Sequence, residues 1–249
     1  MNKRLEGKIA LVTGGSSGIG TSIVRFFAKE GAHVAFTYHS NKEGAETVLS
    51  EIESMGVKGA YFQAEMSDFE RANFIVNQVI DMFGTLDILV NNAGANQDKV
   101  IWKMSETMWD EVIDTDLKGV FNYIRAASPN FREKKSGRVI TISSINALRG
   151  KFGQSNYAAA KAGVIGLSKS VARELGRSNV TVNVVCPGLI ATKMIQSMPD
   201  DFKEKALDEI ILGRIGTPED VAEVVAFLAS DGARHITGEV IKVDGGQYI

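Results

Sequence analysis

The sequence has few of the residues that mark secreted, disulfide-rich or membrane-spanning proteins. Its 249 residues include one cysteine, Cys186, so an internal disulfide is excluded and a reducing compartment fits best. No apolar run reaches the ~18 residues that a membrane-spanning helix needs. The polar N-terminus lacks the apolar core of a signal peptide. We therefore expect no membrane association and a cytoplasmic location.

The chain also lacks an excess of charge and a cluster of metal ligands. A net charge of −2 gives no electrostatic basis for binding nucleic acid or an anionic membrane surface. The three histidines are not spaced as metal ligands, so we expect no metal site. Proline is scarce, at four residues, and no linker, repeat or low-complexity segment is visible. One domain spanning residues 1–249 is the simplest organisation.

Short apolar segments alternate with amphipathic ones along the whole chain. The pattern predicts strands at residues 9–13, 33–38, 58–64, 86–90, 138–142, 180–185 and 239–243. Helices separate them, including one long helix over about residues 106–132. Strands that are apolar throughout and alternate with helices indicate an α/β fold with a doubly wound parallel sheet. The irregular stretch 188–217 is predicted to be a substrate lid, with an ordinary surface excursion as the alternative.

A glycine-rich segment follows the first predicted strand and opens the first helix. It reads Thr13-Gly-Gly-Ser-Ser-Gly-Ile-Gly20. Glycine lets a pyrophosphate approach the backbone, and the helix N-terminus attracts its charge. The context favours dinucleotide binding over a purely structural turn. The predicted contacts are Gly14, Ser16, Ser17, Gly18, Ile19 and Gly20.

The end of the second predicted strand bears on the choice between NADP and NAD. An enzyme selective for NAD usually carries an acid there to bind the ribose 2′-hydroxyl. This chain has Tyr38-His-Ser-Asn-Lys42, and its first acid is Glu43. The pattern favours NADP, with Tyr38 as a contact, although NAD stays possible. The alternative is a solvated loop that selects neither cofactor strongly.

Three further residues suggest hydride chemistry at a carbonyl carbon. Tyr157 and Lys161 lie four residues apart in a predicted helix and therefore share one face. Ser144 follows a predicted strand, at the sheet edge where the glycine-rich segment also lies. A phenol exchanges protons poorly at neutral pH unless a cation lowers its pKa, which Lys161 could do.

In their order along the chain, these motifs resemble those of the short-chain dehydrogenases/reductases over nearly the whole length. The matching segments are Thr13–Gly20, Asn91-Asn-Ala-Gly94, Ser143-Ser144, Tyr157-Ala-Ala-Ala-Lys161, Pro187-Gly188 and Asp244-Gly-Gly246. The resemblance implies one Rossmann-like domain with a seven-stranded sheet, usually assembled as a homotetramer.

The resemblance also assigns roles to individual residues. It implies Tyr157 as the acid–base, Ser144 as the donor to the substrate oxygen, and Lys161 as a ribose ligand that lowers the Tyr157 pKa. Asn92 would lie near the cofactor ribose and Ile190 would contact the nicotinamide carboxamide through its backbone. Tyr157 and Thr192 are further expected cofactor contacts.

Two positions depart from the family pattern. Asp116 stands where the family usually has an Asn whose main-chain carbonyl holds a water in a proton relay. A main-chain role would survive the change, but a charged side chain near Lys161 would raise the Lys161 pKa. The alternative is a tolerated near-isostere. Glu65 stands where an Asp usually contacts the adenine, and the backbone of Met66 is the other expected contact there.

The substrate is less constrained by sequence than the chemistry. The chain resembles 3-oxoacyl-thioester reductases most, which implies a substrate linked to coenzyme A or acyl carrier protein. Sugar, polyol or cyclic alcohol dehydrogenases share the same frame. A non-catalytic NAD(P)-binding sensor or scaffold is the alternative of another class. Trp102 and Trp109 are candidates for the substrate cleft or for helix packing, and a basic segment runs through residues 132–138.

Overall fold

The computed structural model describes residues 3–192 and 207–249, and these form one seven-stranded parallel sheet. The strands are β1 (Ile9–Val12), β2 (His33–Tyr38), β3 (Gly59–Gln63), β4 (Ile88–Asn91), β5 (Gly137–Ile142), β6 (Val180–Pro187) and β7 (Val240–Val243). The longer helices are α1 (Gly18–Lys29), α2 (Lys42–Ser54), α3 (Phe69–Phe83), α4 (Glu106–Ile113), α5 (Gly119–Lys134), α7 (Ser155–Leu175) and α8 (Pro218–Ala229), and α6 (Asn146–Arg149) is a short one. The strand order β3-β2-β1-β4-β5-β6-β7 confirms the predicted doubly wound α/β fold.

Both faces of the sheet are covered, which explains the continuous apolar strands. β1, β4, β5 and β6 are buried at every residue. Along β1, Ala10 and Val12 join a core with α1 and α8, whereas Ile9 and Leu11 join a core with α3, α5 and α7. This alternation follows from the two-residue period of a strand. Each large aliphatic side chain buried in these layers contributes roughly 1.5–3 kcal/mol.

The point where the strand order reverses lies between β1 and β4. The chain runs outward from β1 to β3 and then returns to place β4 on the other side of β1. At such a switch point the loops after neighbouring strands diverge and leave a crevice at the carboxyl ends. The loops that follow β1, β4 and β5 therefore meet at one edge of the sheet.

The prediction of a single long helix over residues 106–132 is wrong in one respect. The structure has α4, a π-helical turn at Asp114–Lys118, and then α5. In that turn the N–H of Gly119 bonds to the carbonyl of Asp114, five residues back. The apolar pattern gave no signal for the change in hydrogen bonding. Single π turns are frequent at functional sites, and this one carries Asp116.

The stretch predicted as a lid is described only at its two ends. Residues 193–206 of that prediction lie outside the described residues. At the flanks, Ile190 and Gly216 form an isolated parallel bridge, and Ala191 N donates to Gly216 O at 2.8 Å. Across residues 3–192 and 207–249, no helix is long and apolar enough to span a bilayer.

Candidate active site

The glycine-rich segment after β1 packs too closely for side chains at two positions. A Cβ on Gly15 would lie 2.6 Å from the Phe36 Cβ. A Cβ on Gly20 would lie 2.1 Å from the carbonyl oxygen of Gly14. Gly14 has a φ of 70°, in the left-handed region that favours glycine. The segment is therefore a tightly packed backbone cradle whose exposed residues are Ser17 and Gly18.

The N-terminus of α1 differs from those of its neighbours. Its N-cap residue, Ser17, makes no side-chain capping bond, whereas Asn41 caps α2 and Asp68 caps α3. The first turn of α1 also contains no acidic residue. Its first backbone N–H groups and the positive end of its dipole are thus left for an anion. The residues present fit the pyrophosphate of a dinucleotide.

Asn92 holds the glycine-rich segment in place. Its side-chain Nδ2 donates to the carbonyls of Thr13 at 3.0 Å and Gly14 at 3.2 Å. The Thr13 hydroxyl oxygen in turn accepts from the N–H groups of Asn92 and Ala93. Asn92 also lines the adjacent cleft, but its amide is committed to bracing the loop. Sequence reasoning placed Asn92 near the site and missed the bracing by Thr13.

A cleft of about 620 Å³ opens at the carboxyl edge beside this loop. Seven of the predicted cofactor contacts line it: Gly14, Ser16, Ser17, Tyr38, Glu65, Met66 and Asn92. Further lining residues that the sequence did not single out include Thr37, His39, Asn41, Gly94, Ala95 and Asp114. Gly18 and Thr192 line a second hollow that shares Ser16 and Ser17 with the first. The cleft offers backbone and polar side chains of the kind that a dinucleotide needs.

At the far end of the cleft, His39 and Glu65 form an exposed ion pair when His39 is protonated. Their Nε2 and Oε2 atoms are 2.9 Å apart, and both side chains are at least half exposed. Tyr38 is buried, with its ring packed edge-on against Tyr61. Lys42 lies 3.5 Å from Glu46 and does not line the cleft. His39 is therefore the basic group that faces the cleft here.

Met66 packs beneath the same end of the cleft. Its side chain is 5% exposed, and its main-chain carbonyl accepts a hydrogen bond from Asn122 Nδ2 at 3.0 Å. That carbonyl therefore already has a partner within the protein. The predicted adenine contact at Met66 would therefore use a backbone group other than this carbonyl.

The three predicted catalytic side chains meet at the same edge. Tyr157 and Lys161 lie one turn apart in α7, with Lys161 Nζ 5.6 Å from the centre of the Tyr157 ring. Lys161 Nζ donates to the carbonyl of Ile142, the last residue of β5, at 3.1 Å. The hydroxyl oxygen of Ser144 accepts from the N–H of Asn146 at 3.1 Å, and its own proton is free to turn toward a ligand or Tyr157.

Burial raises the pKa of the Tyr157 phenol above its ordinary value. Lys161 and the hydrogen bond from Ser144 lower that pKa, and the charge of Asp116 raises it. The contribution of Lys161 has the expected sign, but burial outweighs it and the net direction is upward. The phenol therefore keeps its proton at neutral pH, as a proton donor must.

Asp116 and Lys161 form a buried ion pair behind the cleft. Their Oδ2 and Nζ atoms are 3.1 Å apart, and the side chains are 0% and 4% exposed. The other oxygen of Asp116 accepts from the N–H of Ala95 at 2.7 Å. A Cβ on Gly94 would lie within 3.3 Å of both charged groups, so the pair sits directly against the wall of the cleft.

The neighbours of Lys161 have opposing effects on its pKa. Burial alone lowers it, but Asp116 and Tyr157 together outweigh burial, and the pKa is raised. The sequence analysis likewise expects a charged side chain at position 116 to raise the Lys161 pKa. Lys161 therefore stays an ammonium ion beside Tyr157.

Two exposed aromatic rings stand near the catalytic side chains. Trp102 is 72% exposed and Phe152 is 82% exposed, and their rings meet edge-on at 6.5 Å. The loops that carry them are joined by a hydrogen bond from Lys99 N to Gly153 O at 2.7 Å. Trp109 is 37% exposed and lies outside this aromatic pair. The sequence left Trp102 open between a substrate cleft and helix packing, and gave no reason to single out Phe152.

A hydrogen-bonded chain joins this aromatic pair to Ser144. Gln154, two residues after Phe152, donates to Asp98 Oδ2 at 2.8 Å and accepts from the amide of Asn146 at 3.0 Å. The N–H of Asn146 donates to the Ser144 hydroxyl oxygen. The residue two positions beyond Phe152 is thus linked by hydrogen bonds to the catalytic hydroxyl.

Neither Cys186 nor the basic segment at residues 132–138 lines the cleft. Cys186 is fully buried, and burial raises the pKa of its thiol, which suits a packing residue. Arg125 and Arg132 line a shallow groove with Glu174 on the surface of α5 and α7. The guanidinium of Arg138 is largely buried, 3.3 Å from Asp231.

Known proteins resemble the chain over almost its whole length. Residues 14–247 match a family model described as enoyl-(acyl carrier protein) reductase. The chain is 48% identical to the 3-oxoacyl-[acyl-carrier-protein] reductase FabG of Staphylococcus aureus, over 97% of this chain and 98% of that one. The chain belongs to the short-chain dehydrogenase/reductase family. The predicted family is therefore confirmed. The prediction that the protein is an NAD(P)-dependent oxidoreductase acting on a carbonyl or alcohol is confirmed as well.

Two further relatives and one solved structure are also similar to the chain over almost its whole length. FabG of Thermotoga maritima is 42% identical over 99% of this chain and all of its own. Nodulation protein G of Azospirillum brasilense is 41% identical over 96% of this chain and 97% of its own. The crystal structure of a candidate short-chain alcohol dehydrogenase from Sinorhizobium meliloti 1021 superposes with a TM-score of 0.95 at 33% identity, covering 99% of this chain and 98% of that one.

Proposed function

We propose that this protein reduces a 3-oxoacyl thioester to the 3-hydroxyacyl thioester, with NADPH as reductant and Tyr157 as proton donor. The observation that carries the proposal is the meeting of Ser144 and Tyr157 with the buried Lys161, which lies against Gly94 in the wall of the glycine-built cleft. Curated relatives at 42–48% identity are named for this reaction on acyl carrier protein.

In this mechanism the nicotinamide cofactor supplies a hydride to the carbonyl carbon. The Ser144 hydroxyl donates a hydrogen bond to the substrate oxygen, which holds the carbonyl beside Tyr157. The phenol of Tyr157 then gives its proton to that oxygen as negative charge develops there. The Lys161 ammonium stabilises the phenolate that remains, and solvent returns the proton to Tyr157.

The exposed aromatic pair favours an acyl substrate over a sugar or polyol. Trp102 and Phe152 offer apolar surface on loops that Gln154 and Asn146 link to Ser144, and such a surface suits an alkyl chain better than a row of hydroxyl groups. The arginines of the groove on α5 and α7 supply positive charge that suits an acidic carrier protein or the phosphates of coenzyme A. We therefore place thioesters first among the carbonyl substrates.

The preference for NADPH rests on the end of β2. His39 faces the cleft there, and no acidic residue from β2 or its loop lines the wall that would hold the ribose. The His39 ring can donate a hydrogen bond to a 2′-phosphate, whereas NAD selectivity calls for an acid. NAD remains the alternative cofactor.

The test is a substrate screen with both cofactors and a Tyr157→Phe variant. Acetoacetyl-CoA, a 3-oxoacyl carrier-protein thioester and a cyclic ketone are mixed with enzyme and NADPH or NADH, and oxidation of the cofactor is followed. A polyol is mixed with enzyme and NADP⁺ or NAD⁺, and reduction of the cofactor is followed. We expect turnover of the thioesters and a loss of about 10³-fold or more in kcat for the variant. The variant should bind NADPH with an unchanged Kd.

Two outcomes would overturn this assignment. Preferential turnover of polyols or cyclic ketones would place the protein among the sugar and alcohol dehydrogenases. Measurable NADPH binding without turnover of any carbonyl would favour a cofactor sensor. A homotetramer, a cytoplasmic location and a single catalytic domain with a lid over residues 188–217 stay predictions. Analytical ultracentrifugation tests the first of these directly.

A further inference from the structure

We propose that Asp116 is a positioning residue whose charge holds Lys161 in a buried ion pair and sets the pH range in which Tyr157 keeps its proton. The inference rests on the proposed function in taking Tyr157 as the proton donor. It goes beyond that function in assigning a role to a carboxylate where the family pattern has an amide.

Asp116 joins three segments that are far apart in sequence. It sits in the π turn, accepts from the N–H of Ala95 in the loop after β4, and pairs with Lys161 in α7. Its Oδ2 lies 3.1 Å from Lys161 Nζ and has no other polar partner in the described chain. A charge buried to this degree is costly unless an opposite charge compensates it. Each member of the pair therefore requires the other.

The groups that face Lys161 come from four elements. Asp116 faces it from the π turn, Tyr157 from α7, the Ile142 carbonyl from β5 and the Cys186 thiol from β6. Burial raises the pKa of the Cys186 thiol, so it stays neutral with the protonated phenol. Asp116 is then the anion that balances the Lys161 ammonium.

The groups that face Tyr157 lead to the same conclusion. Lys161 and Ser144 favour its phenolate, whereas Asp116 and, more weakly, Asp98 favour the protonated phenol. Removing the charge at position 116 removes the anion that favours both the Lys161 ammonium and the protonated phenol. The Tyr157–Lys161 pair will then lose its first proton at a lower pH.

The direction of the effect follows from the state that each reaction needs. Reduction needs the protonated phenol, so kcat/KM falls as the pH rises through the apparent pKa of the Tyr157–Lys161 pair. Oxidation of the 3-hydroxyacyl product needs the phenolate, so its kcat/KM rises over the same range. Loss of the charge will move both limbs to lower pH by the same amount, about one to two units.

The decisive variant is Asp116→Asn, because an amide oxygen can still accept from the N–H of Ala95. Asp110→Asn is the matched control, since Asp110 is an exposed carboxylate of α4 outside the cleft. The pH profiles of kcat/KM are measured in both directions. We expect both limbs of Asp116→Asn to shift down together and those of Asp110→Asn to overlay the wild type. Asp116→Glu, which keeps the charge, should restore the limbs even if its rate is lower.

A second measurement needs neither cofactor nor substrate. Tyrosinate absorbance is titrated in the cofactor-free protein, and the Tyr157→Phe titration is subtracted to isolate Tyr157. We expect its ionisation to move to lower pH in Asp116→Asn. Unshifted titrations and rate profiles in that variant would overturn the proposal. If the wild type reduces no thioester, the proposed function fails, and this titration still decides the role of Asp116.

Should Asp116→Asn be unfolded by circular dichroism, Asp116→Ser takes its place, because a hydroxyl can also accept from the N–H of Ala95. The same shift to lower pH is expected. A folded Asp116→Ser protein with an unshifted Tyr157 titration would count against the charge of Asp116.

Discussion

The phosphate-binding end and the catalytic end of the site use different chemical groups. At the phosphate end, the cradle is backbone: Gly14, Gly15 and Gly20 leave no room for side chains, and α1 begins without a side-chain cap. At the catalytic end, the essential groups are side chains, and two of them form an ion pair shut away from solvent. The phosphate end offers fixed backbone dipoles to a ligand, whereas the catalytic end holds a buried ion pair next to the proton donor.

The difference determines how each end tolerates change. A backbone cradle depends on shape, so one added methyl group should disrupt it at any pH. A buried ion pair depends on charge, so an isosteric change should leave the shape intact and move the pH dependence. Substitutions at the two ends should therefore separate loss of binding from a change in protonation.

The largest effect at the phosphate end is expected for Gly20→Ala. The new Cβ would lie 2.1 Å from the carbonyl oxygen of Gly14 and 2.5 Å from Asn92 Nδ2. The loop or α1 must then move, and the cradle loses its geometry. We expect the Kd for NADPH to rise about 100-fold, which corresponds to about 2.7 kcal/mol. Titration of the bound cofactor by fluorescence measures it.

Gly166→Ala is the matched control for this change. Gly166 lies in α7, and a Cβ there would meet no heavy atom within 4 Å. Alanine in a helix interior is more favourable than glycine by about 0.5–1 kcal/mol. The control should bind NADPH as the wild type does and melt slightly higher. Equal NADPH affinities for the two variants would show that the close approach at Gly20 is dispensable.

At the catalytic end, Phe152→Ala should change substrate choice and leave the chemistry alone. The exposed ring of Phe152 stands with Trp102 near Ser144, where a long acyl chain could rest on it. We expect kcat/KM to fall about 10-fold, or about 1.4 kcal/mol, for a long 3-oxoacyl thioester. The value for acetoacetyl-CoA should stay within about two-fold.

The control for this variant is Phe74→Ala, which removes another exposed ring, on α3. It should change neither substrate. A fall of the same size for short and long thioesters in Phe152→Ala would assign that ring to the structure of the site and remove it from chain-length selection.

The sequence could predict those features of the two ends that depend on local spacing. The glycine spacing after β1 and the four-residue spacing of Tyr157 and Lys161 are local, so they can be seen in the sequence and placed on the fold. The strand pattern likewise predicted the sheet, because buried parallel strands are apolar throughout. Asp116 stood out as a departure from the family pattern before its contacts were known.

Features that depend on distant segments were not visible in the sequence. The π turn at Asp114–Lys118 changes backbone bonding without changing the apolar pattern. The hydrogen bonds that join Thr13 to Asn92, and the pairing of Trp102 with Phe152, link residues that lie far apart along the chain. The net direction of the Tyr157 pKa was missed for the same reason, because burial is a property of the whole fold.

The smallest expected effect concerns cofactor choice at His39. Its Nε2 lies 2.9 Å from Glu65 Oε2, so Glu65 and a 2′-phosphate would compete for the same cation. His39→Gln should lower kcat/KM with NADPH about five-fold, since exposed charge pairs contribute about 1 kcal/mol or less. Glu65→Gln should raise it by a smaller factor, and kcat/KM with NADH should not change in His39→Gln. The ratio of kcat/KM with the two cofactors, measured at low salt, provides the comparison. An unchanged ratio in both variants would remove His39 from cofactor selection and leave the phosphate cradle as the sole anion site of the cleft in the described chain.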